Sequence, residues 1–381
     1  MFHLPLILCD NGPIMAIDVN PNIERIQPYI PGKPIEDVQR ELGLSRVIKL
    51  ASNENNIGLP ASVQSELSTK ISELFLYPDG AVFKLRQVLA DRYQLEGSQL
   101  IFGNGSDELL LLIALAFLGP DKEALVSEGT FSEYAFSAHV VNAPIKTIPL
   151  NDLTYDLNAF ALAITPLTRV IFLCNPNNPT GTIFSSSALE SFMQKVPANV
   201  LVVLDEAYFE FAVGSTAPDG SVYPDGRTLI SRYDNLIVLR TFSKMWSLAG
   251  CRLGYGMASP AIIEALNKAR QPFNINRFAQ EAALLMLEQT SWTTEVRSLV
   301  DSEKARLMEE LSALGLLPIK SYANFIFIDI GQSASKLFEQ LLKKGVIIRA
   351  MDGFGFPQAI RVTVGLPDEN DAFITALKEV L

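Results

Sequence analysis

Histidine and cysteine are scarce in this 381-residue chain, with two of the first and three of the second. With neither His-rich nor Cys-rich spacing, a transition-metal centre has no ligand set to build on. Cys9, Cys174 and Cys251 are odd in number and far apart, which argues against a disulfide framework and for free thiols in a reducing compartment. We therefore expect a cytoplasmic protein. Positive charge is also short: 31 Lys and Arg face 42 Asp and Glu, a net charge of −11. A surface of that sign repels nucleic acid and anionic membranes. No apolar run spans a bilayer; the longest, residues 109–118, is about half of the roughly 20 residues required. The apolar opening, residues 1–9, lacks a basic n-region and a small-residue cleavage site, so it is a poor signal peptide. Met15 offers another start, which would make residues 1–14 an upstream extension.

What is present is a globular composition, 48% hydrophobic and 19% charged. The length exceeds the roughly 250 to 300 residues of a single core, so we expect a large domain and a smaller one. Short apolar runs at residues 124–127, 170–174, 200–204 and 236–239 alternate with amphipathic stretches of helix length. That pattern reads as an α/β fold with a mostly parallel central sheet flanked by helices. After about residue 290 it changes to a long charged helix (295–314) and then short strands at 324–328, 346–349 and 360–364, a smaller α+β domain. The expected boundaries are a Pro-rich N-terminal arm at 1–45 that wraps over a neighbour, a large domain at 46–290 and a small one at 291–381.

The apolar runs end in polar groups: Asn175 to Asn178, Asp205, and Thr241 to Lys244. Ligands of open parallel sheets sit beyond the carboxyl ends of the strands, so these residues belong to one site. An isolated lysine at a strand end is usually solvated. In Thr241-Phe-Ser-Lys-Met-Trp-Ser-Leu-Ala-Gly-Cys-Arg252, however, Lys244 lies near another cation, which depresses its pKa and suits Schiff-base formation. Thr241, Ser243 and Arg252 are donors for a phosphate dianion. The set suits an aldehyde-phosphate cofactor.

Asp205 suits a cationic partner. Beside a pyridine nitrogen it keeps that nitrogen protonated and the ring an electron sink, with Tyr208 reaching the phenolate oxygen. Asn175-Pro-Asn-Asn-Pro-Thr-Gly181 reads either as a tight turn or as a loop whose Asn178 amide donates to that same oxygen. Phe102-Gly-Asn-Gly-Ser-Asp-Glu108 imitates a dinucleotide fingerprint, but Glu108 stands where a third glycine is expected. A glycine turn opening a helix makes a phosphate cradle instead, with amides from Ser106 and Asp107. Phe131 is either core or a flat ring stacked on a pyridine. Arg361, inside an apolar strand, calls for a bidentate anion, from a ligand or from a structural carboxylate.

Taken in this order, these residues resemble the fold type I pyridoxal-phosphate enzymes of the aspartate-aminotransferase superfamily over almost the whole chain. Within it, Tyr29-Ile-Pro-Gly-Lys-Pro-Ile-Glu36, Lys49-Leu-Ala-Ser-Asn-Glu54, Leu76-Tyr-Pro-Asp79, Gln271-Pro-Phe-Asn-Ile-Asn276 and Gly345-Val-Ile-Ile-Arg349 are similar to the histidinol-phosphate aminotransferases. The resemblance implies pyridoxal 5′-phosphate as cofactor and Lys244 as its covalent tether and the proton-moving base. It implies Asp205 as pyridinium partner, Tyr208 and Asn178 as phenolate donors, and Arg361 as anion receptor. It also implies a homodimer with active sites at the interface, where Tyr77 reaches the other subunit's cofactor phosphate and Arg277 joins Arg361 as a second contact to the substrate's phosphate across the dimer. Phe131 stands where Tyr is usual, so stacking survives without a hydroxyl. Asn53-Glu-Asn-Asn56 replaces the usual Asn-Glu-Asn-Pro in the segment expected to cover the substrate, Asn53 included.

The implied reaction is amino transfer from L-histidinol phosphate to 2-oxoglutarate in histidine biosynthesis. An aromatic amino-acid aminotransferase or, further off, a phosphothreonine decarboxylase would use the same scaffold. A non-catalytic regulator would need a DNA-binding module, for which the arm is too short and too rich in proline.

Overall fold

Four of the Val/Ile/Leu-rich runs become the middle of one sheet. The computed structural model describes residues 19–24, 26 and 32–381. Met15, the proposed extension 1–14, Cys9 and the first part of the Tyr29 to Glu36 motif lie outside these residues.

The main sheet has seven strands: β1 Leu100–Gly103, β2 Glu123–Ser127, β3 Ile145–Ile148, β4 Thr168–Cys174, β5 Leu201–Asp205, β6 Leu236–Thr241 and β7 Gly254–Ala258. Their spatial order is β1-β7-β6-β5-β4-β2-β3. The pairs from β3 through β6 are all parallel, while β7 runs antiparallel to both β6 and β1. Every residue of β5 and β6 is buried, as continuous apolar strands covered on both faces require. The sequence reading found β2, β4, β5 and β6 but not β1, β3 or β7. In β7 the run Gly-Tyr-Gly-Met-Ala has no β-branched residue, and its glycines answer to close packing. A Cβ on Gly254 would lie 2.5 Å from the Ser106 backbone nitrogen. Only glycine lets this strand pass against the start of the helix Gly105–Phe117, which follows β1 and packs on β6 and β7.

A second, antiparallel sheet holds β8 Leu317–Pro318, β9 Phe325–Asp329, β10 Arg349–Ala350 and β11 Ala359–Thr363, in the order β8-β9-β11-β10. The helices Trp292–Ala313, Ala334–Lys343 and Pro367–Val380 accompany it. The run expected as one strand at 346–349 is split between two partners. Val346–Ile347 pairs in parallel with Ile48–Lys49, and Arg349–Ala350 enters the second sheet. The Thr363 N–H then donates to Leu50 O at 2.8 Å, so residues 48–53 are laid alongside β11. That brings Asn53 to the ends of the main-sheet strands. The arm's helix Ile35–Leu42 docks Val38 on Ala51 and Ile347 of its own chain. Among the described residues no helix is long and apolar enough to cross a membrane.

Candidate active site

Beyond the carboxyl ends of β4, β5 and β6 lies a cavity of about 200 Å³. β5 ends in Asp205, which is buried; its Oδ1 accepts the Ala207 N–H at 3.0 Å and its Oδ2 the Tyr134 hydroxyl at 2.8 Å. Burial pushes the carboxyl up to about 6, against the pull of those two donors. β6 leads through Thr241 and Ser243 to Lys244. The Thr241 hydroxyl donates to Leu253 O at 3.3 Å and accepts the Ser243 N–H at 3.0 Å, which fixes the turn that presents the lysine. Lys244 Nζ donates to Ser52 O at 3.0 Å and lies 5.8 Å from the centre of the Tyr208 ring. Burial first, and then the charge of Arg361, push its amine down to about 8.

The loop after β4 carries Asn178, whose Oδ1 accepts from Arg361 Nη1. Guanidinium groups only donate, so the amide oxygen faces Arg361 and the NH2 is the part that remains to donate. Arg361 Nη2 donates to Ala51 O at 2.7 Å, and the guanidinium sits 5.3 Å from the centre of the Phe325 ring. Tyr208, in the turn after β5, accepts at its hydroxyl from Asn53 Nδ2 at 2.8 Å. Asn53 is buried with φ of 56°, its N–H on Thr363 Oγ1, and its carbonyl accepts from Asn324. Asn53, expected at the substrate, is thus also what orients the Tyr208 phenol.

Ser106 and Asp107 open the helix after β1 and line the same cavity with Phe131, Ser243 and Arg252. Arg252 Nη2 pairs with Asp107 Oδ2 at 3.0 Å. Gly105 has φ of 77°, and a Cβ there would come within 2.5 Å of that guanidinium nitrogen. The backbone amides, a hydroxyl and a guanidinium therefore meet at a helix N-terminus kept open by glycine, a donor set that fits a phosphate.

Tyr77 and Arg277 do not line this cavity. Both lie along a separate exposed cleft, where Tyr77 stacks on Phe273 at 5.0 Å and Arg277 pairs with Glu73. Among the other cavity residues, Gly32 and Arg349 belong to motifs that carried the family resemblance without a site role, and Phe354 gave no signal in the sequence. Tyr134, which holds Asp205, escaped the sequence reading. Its one signal was a phenol in an apolar helix, since a buried hydroxyl needs a partner.

A lowered amine, a buried carboxylate and an anion cradle at the strand ends of a mostly parallel sheet define the class, a fold type I pyridoxal-phosphate enzyme. The family described as aminotransferase class I and II matches residues 45–377. The chain is 45% identical over 357 residues to histidinol-phosphate aminotransferase of Moorella thermoacetica, covering 93% of this chain and 91% of that one. It is 42% identical over 373 residues to histidinol-phosphate aminotransferase 2 of Pseudomonas fluorescens, at 97% and 99% coverage. Among solved structures, histidinol-phosphate aminotransferase from Sinorhizobium meliloti in complex with pyridoxal-5′-phosphate matches with a TM-score of 0.85 and 27% identity, over 95% of this chain and 97% of that one. The chain belongs to the class I and II aminotransferases, in the histidinol-phosphate aminotransferase family.

Proposed function

We propose that the protein transfers the amino group of L-histidinol phosphate to 2-oxoglutarate, giving 3-(imidazol-4-yl)-2-oxopropyl phosphate and L-glutamate, as a cytoplasmic homodimer serving histidine biosynthesis. The observation that carries this reading is the meeting of Lys244, Asp205 and the Arg361–Asn178 pair in one cavity. Identity of 42–45% to relatives named for this activity supports it.

In this reading the Ser106 and Asp107 amides, Ser243 and Arg252 hold the cofactor phosphate, while Thr241, expected as a further donor, spends its hydroxyl proton on Leu253 O and fixes the turn that presents them. Asp205 faces the ring nitrogen, Tyr208 and Asn178 the phenolate oxygen, and Phe131 one face of the ring. When bound, pyridoxal phosphate supplies an electron sink for the pair left when a Cα–H bond breaks. Lys244 Nζ would take the proton from the substrate Cα and deliver it to the cofactor's C4′, the shift that moves the amino group from substrate to cofactor. A pKa of about 8 leaves roughly a tenth of this amine neutral at pH 7, against roughly 0.03% at its ordinary 10.5. Arg361 binds the substrate anion; its fork accepts either the phosphate of one substrate or a carboxylate of the other.

The interface is assigned to an exposed apolar patch. Phe75 and Tyr77 are 83% and 81% exposed beside Leu74, Leu76 and Phe273, a surface that a partner copy would cover. Tyr77 and Arg277 would from there serve the neighbouring cavity. Among the described residues Cys174 and Cys251 form no disulfide, in keeping with a reducing compartment.

The deciding experiment compares kcat/KM for histidinol phosphate, phenylalanine and phosphothreonine with 2-oxoglutarate as acceptor. We expect histidinol phosphate to lead by about a hundredfold or more. Equal or better turnover of phenylalanine would reassign the enzyme to aromatic amino acids, and carbon dioxide from phosphothreonine would make it a lyase.

A further inference from the structure

Tyr134 is 0% exposed, on the helix Glu133–Val140, and its hydroxyl donates to Asp205 Oδ2 at 2.8 Å. The ring that carries this hydroxyl is held from two sides. It stacks on Phe172 of β4 with centroids 5.2 Å apart and planes at 13°, and it meets Phe131 edge-on at 5.7 Å and 85°. One side chain therefore touches both the carboxylate assigned to the ring nitrogen and the aromatic ring assigned to its face. A buried carboxylate takes up a proton unless donors offset the lost hydration. Asp205 has two such donors among the described residues, the Ala207 N–H and this phenol.

We propose that Tyr134 is a positioning residue that keeps Asp205 ionised and aimed at the cofactor's ring nitrogen. The inference rests on the assignment of Asp205 above. Other titratable groups surround the carboxylate on every side: Cys174 on β4, Tyr155, Tyr208, Asp107 at the opening of the helix after β1, and Lys244 after β6. Burial pushes Cys174, Tyr155 and Tyr208 up, so all three are neutral at pH 7. The charge of Asp107 raises Asp205 and that of Lys244 lowers it. The phenol of Tyr134 is itself pushed well above its ordinary 10 by burial, so it remains a donor across the working pH range. Without it the carboxyl rises further from about 6, into the range where neutral pH no longer keeps it charged.

The test is Tyr134→Phe, which keeps the ring and removes the hydroxyl, studied as the holoenzyme. Two quantities are followed from pH 5.5 to 8.5: the absorbance of the bound cofactor and the rate at which pyridoxal phosphate leaves on dilution. We expect the pH midpoint of release to move up by about one unit, and release at pH 7 to be about tenfold faster than in the parent. A drop in Tm with an unmoved midpoint would reduce Tyr134 to packing and overturn the proposal. A second variant, Asp205→Asn, closes a cycle: if Tyr134 acts through Asp205, adding Tyr134→Phe to it changes release little, whereas fully additive losses contradict the proposal. A parent protein that takes up no pyridoxal phosphate would instead overturn the cofactor reading, so the two failures are separable.

Discussion

Burial shapes the chemistry of single residues here more than any neighbouring charge does. It is the largest influence on both Lys244, pushed down to about 8, and Asp205, pushed up to about 6. For Asp205 the consequence is a pH-dependent stability. With a folded pKa of about 6 against an ordinary 3.8, the folded apoprotein holds this proton more tightly than the unfolded chain does. Stability is therefore lost as pH rises from about 4 to about 6, by up to about 3 kcal/mol, and regained when a cation meets the carboxylate. Tm of the apoprotein across that window, with and without pyridoxal phosphate, checks this; an apoprotein Tm that climbs from pH 4 to 6 while the cofactor adds nothing would contradict it. Lys244, Asp205 and Asn178 were legible in the sequence because each sits at the polar end of an apolar run. The Tyr134–Asp205 and Asn53–Tyr208 bonds were not. They join residues 71 and 155 positions apart, and periodicity carries no information about such pairs.

At the scale of elements, the turn bearing Asp205 and Tyr208 is anchored from beneath. Arg240 on β6 donates through Nε and Nη2 to Glu206 Oε2 at 3.0 and 2.8 Å and reaches Asp225 Oδ1 at 2.8 Å. Its guanidinium also lies over the Phe209 ring at 3.4 Å. Both partners of the main pair are buried, so removing one charge strands the other. Glu206→Gln should cost about 3 kcal/mol, read as a fall in denaturation midpoint at unchanged slope. A loss indistinguishable from zero would mean that Asp225 alone satisfies Arg240.

Strand β7 offers a second element-level test. Gly254→Ala puts a methyl against the Ser106 backbone, so the opening of the phosphate-cradling helix must shift. Cofactor affinity should fall by about tenfold while the far-ultraviolet spectrum is retained; unchanged affinity would detach that helix from phosphate binding. β7 went unread because its sequence reports close approach and not strand propensity. The 346–349 run was read as one strand because pattern alone cannot show that Val346–Ile347 and Arg349–Ala350 answer to different neighbours.

For the whole molecule, the alternation of apolar runs and helices made the mostly parallel sheet legible, and the change of pattern near residue 290 marked a smaller α+β part, whose antiparallel pairing the pattern did not show. How the two communicate was hidden. Residues 48–53 pair with Val346–Ile347 and with β11, so a segment read as the start of the large domain lies on strands assigned to the small one. The exposed Phe75 and Tyr77 patch is the molecule's proposed contact with its twin. Sedimentation should give a species of about twice 41.9 kDa, and Phe75→Glu should shift it toward the monomer with loss of activity. A fully active monomer would remove Tyr77 and Arg277 from the site.

Lys244 is the amine proposed to hold the cofactor. Borohydride reduction of the holoenzyme followed by peptide mapping tests it most directly. We predict a pyridoxyl-phosphate mass on the single peptide containing Lys244, absent from Lys244→Ala; a label on another lysine, or none, would contradict the account.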